Sequence, residues 1–129
     1  MRTELIILVL LCAACANYEG VYEPSCIAFE GDRIELRAGR FSWHRFTDQL
    51  TLKSEGSIGN PFPEFPKTGS YRVEAGRMRL TTEDGVRLED WLIVKQAGQR
   101  YLLTGKQHDA FVASGDLPEC ALALIVTGS

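Results

Sequence analysis

Apolar and polar residues alternate along this chain with a period of two, and glycines interrupt the alternation. In residues 32–37, Ile34 and Leu36 alternate with Arg33, Glu35 and Arg37. In residues 69–74, Tyr71 and Val73 alternate with Ser70, Arg72 and Glu74; in residues 77–81, Met78 and Leu80 alternate with Arg77 and Arg79. Leu50 and Leu52 alternate with Thr51 and Lys53. A strand sends successive side chains to opposite faces, so each segment predicts a strand with one apolar and one wet face. That is the antiparallel pattern. The connections agree with it. Arg37-Ala38-Gly39-Arg40, Glu74-Ala75-Gly76-Arg77 and Gln96-Ala97-Gly98-Gln99 repeat one Ala-Gly turn. Glycine there supplies the positive φ that a tight hairpin with a bulge requires. Asp84-Gly85 marks a fourth turn between Leu80 and Leu88. The unequal spacing argues against a solenoid and for the hairpins of one meander.

Two segments break the period. Asn60-Pro61-Phe62-Pro63-Glu64-Phe65-Pro66-Lys67 carries three prolines, which donate no ladder hydrogen bond, so it is expected to be a stiff loop. Residues 104–114 predict the one helix: Thr104-Gly105-Lys106-Gln107 matches a capping box and Gly115 supplies the stop. Phe111 and Val112 are expected to dock it on the sheet. Leu117-Pro118-Glu119 leads to a last strand over residues 120–126. The fold class expected is mainly β: a small antiparallel meander, closed into a barrel or a tightly curved sheet, with one short C-terminal helix.

The N-terminus follows another pattern. After Met1-Arg2-Thr3-Glu4 the chain is apolar from Leu5 to Leu11, then small at Cys12-Ala13-Ala14-Cys15-Ala16. The run is too short to span a bilayer as a helix. It has the length and flanks of a secretory signal. Residues 1–16 are therefore expected to be an export signal and residues 17–129 a single domain. Two cleavage readings stay open. Ala14-Cys15-Ala16 fits ordinary signal peptidase. Ala13-Ala14-Cys15 resembles the lipobox of bacterial lipoproteins, which implies lipidation of Cys15. It departs from that box in having Cys12 where Leu belongs. Cys12-x-x-Cys15 has the spacing of a redox or zinc motif but sits inside the signal, with no strand and helix around it.

Under either reading, Cys26 and Cys120 remain as a pair. In an exported small domain two such cysteines are most simply a disulfide. It would close a loop of roughly 95 residues, at most ~4–5 kcal/mol on the loop-entropy account. The formal net charge of the chain is −3, with both signs interleaved. Arg33, Arg37, Arg40 and Arg45 alternate with Glu30, Asp32, Glu35 and Asp48, so no nucleic-acid partner is expected.

Gly20-x-Tyr22, followed by the meander and a late helix before a final strand, resembles the lipocalin or calycin type of barrel, with Tyr in place of that superfamily's Trp. The chain is shorter than a usual lipocalin, and Thr47-Asp48 lies too early to be the family's second motif. The Gly69-x-Tyr71-Arg72-Val73 hairpin strand with Arg77-x-x-Leu80, and the ending Tyr101-Leu102-Leu103-Thr104, Gln107-His108 and Cys120, is similar to small envelope proteins of proteobacteria. That resemblance implies an envelope location and brings no activity with it.

Candidate chemistry is sparse. His44 shares the wet face with Arg40 and Ser42; His108 lies on the helix. Neither has a nearby ligand at metal spacing, so no metal or other cofactor is expected. Glu83-Asp84 sits beside a turn glycine, and Glu89-Asp90 is the other carboxylate pair. No nucleophile elbow, Walker loop or dinucleotide fingerprint is present. What remains is aromatic. Phe41, Trp43, Tyr71, Met78, Trp91, Ile93 and Tyr101 form the expected interior, either a packed core or a pocket for an apolar ligand with Phe62 and Phe65 as its lid. Arg45 shares parity with Phe41 and Trp43 and would reach the rim if the strand continued that far; Phe46, on the opposite parity, suggests that it has ended. The candidate ligand-binding residues are thus Phe62, Phe65, Trp43 and Arg45. The expectation is a non-enzymatic exported binding module. Its partner is a small apolar ligand or an envelope protein, and a lipid on Cys15 would tie it to the membrane. The rivals are an inhibitor or assembly lipoprotein acting through its surface, and a hydrolase in which His44 meets Asp48.

Overall fold

The computed structural model of the chain describes residues 18–27, 30–47 and 62–127. The expected signal with Cys12 and Cys15, the strand expected at Leu50 and Leu52, and Asp48, Asn60 and Pro61 lie outside the described residues. Those described form a closed antiparallel barrel of eight strands in sequence order. The strands are β1 (Gly20–Pro24), β2 (Glu30–Arg37), β3 (Arg40–Thr47), β4 (Lys67–Glu74), β5 (Arg77–Thr82), β6 (Trp91–Gln96), β7 (Gln99–Leu103) and β8 (Leu122–Thr127). Helix α1 (Gly105–Ser114) lies between β7 and β8. β1 pairs with β8, which removes the open edges that a meander would otherwise expose.

The three Ala-Gly turns all lie at one end of the barrel. Each joins directly opposed residues: Arg37 with Arg40, Glu74 with Arg77, and Gln96 with Gln99. Both turn residues have positive φ, 51°–53° at Ala38, Ala75 and Ala97 and 75°–78° at Gly39, Gly76 and Gly98. These are two-residue type I′ turns, not the bulged hairpins expected. The right-handed twist of the strands matches a turn in which both residues are left-handed, so no extra residue is needed. Asp84-Gly85 also makes a turn, closed by Gly85 N–H to the Thr82 carbonyl at 2.9 Å. After it only Arg87 bridges back to Thr81, and the next strand waits until Trp91.

Period two then sorts the core. Tyr22, Ile34, Leu36, Phe41, Met78, Leu80, Trp91, Leu102 and Leu122 are buried and meet inside the barrel. An eight-stranded barrel is just wide enough for its own side chains to fill. Gly69 lies on the inward parity of β4, where the β5 backbone leaves no room for a side chain: a Cβ there would stand 1.9 Å from the Thr81 carbonyl oxygen.

A second, outer cluster accounts for β6 and β7 being apolar on both faces. Leu92, Leu103 and Ala121 pack with Val94, Tyr101, Phe111 and Leu117 under α1. Tyr101 is therefore outside the barrel, not in the interior where it was expected. The helix begins as the sequence predicts, with Thr104 and Gln107 capping reciprocally and Gly115 left-handed at its end. Phe111 docks it, but Val112 is 69 % exposed. Consecutive helical residues point about 100° apart, so only one of the two can face the sheet. The last strand starts at Leu122 because Glu119 and Cys120 form a turn.

Candidate functional site

The end of the barrel opposite the Ala-Gly turns brings the expected site residues together. β3 runs to Thr47, so it does not end before Arg45; Arg45 stands directly opposite Asp32 on β2. This corrects the expectation from Phe46, which lies on the outer face and is 38 % exposed. A strand at the rim of a barrel can carry an apolar residue outward when the neighbouring position is glycine. Here Phe46 opposes Gly31, and a Cβ at Gly31 would meet the Phe46 ring at 3.2 Å.

Phe62 and Phe65 flank a turn with Pro63 and Glu64 at its centre, closed by Phe65 N–H to the Phe62 carbonyl at 3.0 Å. Proline at the second position of such a turn has its φ already set. The peptide bond from Phe65 to Pro66 is cis. The turn drives the Phe65 ring into the barrel mouth, leaving it 8 % exposed. It meets Trp43 edge to face at 5.1 Å, and Trp43 meets Trp91 in the same way at 5.7 Å. Such pairs add about 0.5–1.5 kcal/mol each beyond the area they bury. Phe62 remains half-buried.

Two cations bracket the aromatic plug. The Arg45 guanidinium lies 5.1 Å from the Phe65 centroid and 5.8 Å from that of Phe62. The Lys67 ammonium lies 5.1 Å from Phe65 and 5.8 Å from Trp43. Asp32 holds the group in place: its Oδ1 accepts from Trp43 Nε1 at 3.0 Å and from Arg45 Nε at 3.1 Å. Arg45 thus has a carboxylate partner within the protein. Beside Asp32, a cleft of about 110 Å³ continues along Glu30, Gly31, Trp91, Thr104 and Gln107 to Cys120.

All four residues singled out in the sequence, Trp43, Arg45, Phe62 and Phe65, therefore meet at one mouth. Asp32 and Lys67 were missed. Both were signalled by parity: Asp32 lies on the face of Ile34 and Leu36, and Lys67 on that of Tyr71 and Val73, so each is a charge at the end of an apolar row. Cys26 and Cys120 are joined as a disulfide at this same end, with their Cα atoms 4.9 Å apart.

The hydrolase reading finds one fragment. Ser42 Oγ and His44 Nε2 are 2.9 Å apart on the outer face of β3. Nucleophilic catalysis also needs a group that orients the base. Among the described residues no carboxylate hydrogen-bonds the His44 ring, and Asp48 lies outside them. Among the described residues there is also no group of three or more His, Cys, Asp or Glu that could hold a metal.

No family model, curated protein or solved structure matches the chain. The eight-stranded antiparallel barrel is compatible with a lipocalin-like layout. The similarity to proteobacterial envelope proteins has no support in these comparisons.

Proposed function

We propose that this domain is a non-enzymatic, exported β-barrel binding module, and that it engages its partner at the mouth formed by Trp43, Phe62, Phe65 and Arg45. The observation that carries the reading is the convergence of these four residues from two distant segments. Phe65 closes the barrel, while Phe62, held by the same proline turn, keeps part of its ring outside. A ring fixed in position loses little conformational entropy on binding, which suits it to be an anchor. Because core side chains occupy the barrel, the apolar group it takes is held at the rim. A small apolar ligand or an apolar side chain of an envelope protein has that form, and an inhibitor or assembly factor acting through its surface would use the same contact.

The location rests on two features. The N-terminal segment has the length and flanks of a secretory signal, and a disulfide persists where the surroundings are oxidising. With Cys15 lipidated, the module would stand at a membrane surface as an envelope lipoprotein.

The test is mass spectrometry of the small molecules and proteins retained by the purified domain, wild type against Phe62→Ala, with Phe65→Ala as the control for folding. Phe65→Ala is expected to cost about 3–5 kcal/mol of stability, as for a buried ring. Phe62→Ala is expected to change stability by less than about 1 kcal/mol and to abolish retention. Equal and large stability losses for both, with retention no weaker per folded molecule, would remove the mouth as the binding surface.

A further inference from the structure

The outer faces of β4 and β5 carry a different chemistry. Period two places Ser70, Arg72 and Glu74 of β4 on the outside, facing Thr81, Arg79 and Arg77 of β5 in that order. Arg72 and Arg79 are directly opposed. Like charges at opposed positions of an antiparallel pair are destabilising unless something neutralises them. Arg87 joins the same face through its bridge to Thr81. Ser70, Arg72, Glu74, Arg79, Thr81 and Arg87 together line a cleft of about 190 Å³ on the barrel wall.

The carboxylates within reach do not satisfy this group. Four guanidiniums, of Arg72, Arg77, Arg79 and Arg87, share Glu74 and Asp90. Every one of those contacts is between 3.5 and 4.0 Å. Elsewhere on the barrel the same kind of pair closes to 3.0 Å at Arg33 with Glu23 and 3.1 Å at Arg45 with Asp32. The Arg79 Nε–H is buried and has no hydrogen-bond partner among the described residues. A buried donor left unmade costs the full desolvation of that group. Two positive charges in excess, an orphaned N–H and two opposed hydroxyl residues therefore surround a concave space, on a chain whose net charge is −3.

We infer that this cleft is a binding site for a small phosphate-type oxyanion. Guanidinium forks fit a tetrahedral oxyanion through two parallel hydrogen bonds, and a dianion matches the excess of charge. The guanidiniums of Arg79, Arg72 and Arg87 donate to it, and the Ser70 and Thr81 hydroxyls are placed to donate to its remaining oxygens. The cleft of about 190 Å³ holds a free phosphate and leaves room beside it, so the phosphate of a lipid headgroup fits as well.

The experiment is a titration of the purified protein at low ionic strength, followed by NMR at the arginine Nε–H and the backbone amides of β4 and β5. One arm uses inorganic phosphate. The other measures flotation with phosphatidylcholine vesicles with and without phosphatidylglycerol. The expected result is a saturable shift centred on Arg79, weakened about tenfold by each of Arg72→Gln and Arg87→Gln, as the loss of one charge-assisted hydrogen-bond pair implies. Glu74→Gln, which removes a half-exposed competing carboxylate, is expected to tighten binding, an effect a purely structural role would not give. A response to free phosphate identifies a soluble anion, and one only to phosphatidylglycerol identifies a headgroup. No saturable response in either arm, the same response to chloride, or unchanged binding in both arginine variants would overturn the site.

Discussion

Tyr22 shows how a single inward residue couples composition to pH. Its ring lies fully inside the barrel, and its hydroxyl donates to the Tyr18 carbonyl at 3.0 Å. Burial raises the phenol above its ordinary value of 10.0; a hydrogen bond with Arg100 and the charge of that guanidinium pull the other way and offset only part of the rise. The Arg100 guanidinium also lies 4.8 Å from the Tyr18 centroid, so this end of the barrel is closed by two tyrosines and a cation. A folded-state value above the unfolded one means that the folded chain binds the proton more tightly. The resulting stability is fully present below the unfolded phenol's value and is lost as pH rises through the folded one. Denaturant midpoints should therefore hold steady up to about pH 10 and then fall, and Tyr22→Phe should flatten that alkaline limb. A limb of unchanged steepness in the variant would assign the fall to other groups. Tyr22 stood out in the sequence only within Gly20-x-Tyr22 and was left out of the expected interior; its partner Arg100 left no signal either, because the contact joins β1 to β7 across the barrel and has no local pattern.

Among the elements, the hairpins were the most legible, because Ala-Gly between alternating segments is a local signal. The exact turn was not. A bulge was expected since glycine alone was taken to need a left-handed backbone, whereas Ala38, Ala75 and Ala97 share it. An L-residue with a Cβ in that region costs roughly 1–2 kcal/mol, less for Asn, whose side chain hydrogen-bonds locally. Ala75→Asn and Ala97→Asn are therefore expected to raise stability by about 0.5–1 kcal/mol each, and to add in the double variant, because each acts on the backbone of its own hairpin turn. Thermal unfolding of the two single variants and the double variant checks this; a fall in midpoint would mean that the alanine methyls are held by contacts the turn geometry does not require. Arg45 was misjudged for a related reason. Parity put it inward and Phe46 argued that the strand had ended, but Gly31 across the ladder makes room for the Phe46 ring outside. The competing signal came from a neighbouring strand, which one-dimensional periodicity does not see. The outer apolar cluster was hidden in the same way: the two-sided character of β6 and β7 becomes interpretable only once α1 is laid over them.

At the scale of the whole molecule the weak point of a meander barrel is the seam between its first and last strands. β1 and β8 pair over five positions, from Gly20 with Thr127 to Pro24 with Leu122, with an irregularity at Val21 and Tyr22. These contacts are the most distant in sequence, so forming them carries the largest loop-closure entropy in the fold. Cys26 follows β1 and Cys120 precedes β8, and Ser25 N–H donates to the Ala121 carbonyl beside them at 2.9 Å. The disulfide spans 94 residues and thus fastens the seam at the mouth end. Its removal should cost about 2–5 kcal/mol, within the range for native disulfides of small domains. The loss should also be local before it is global. β4 and β5 pair over six consecutive positions through a two-residue turn and do not depend on the cross-link. In Cys26→Ser/Cys120→Ser, amide exchange is therefore expected to rise first in β1 and β8, while β4 and β5 keep protection close to that of the whole barrel. Protection falling evenly across all strands would show that the barrel opens as one unit and that the disulfide acts only by restricting the unfolded chain. Early loss at the seam would also loosen Asp32, two residues into β2 from the mouth, and with it the hold on Trp43 and Arg45. The variant should then lose partner retention at denaturant concentrations where β4 and β5 are still protected.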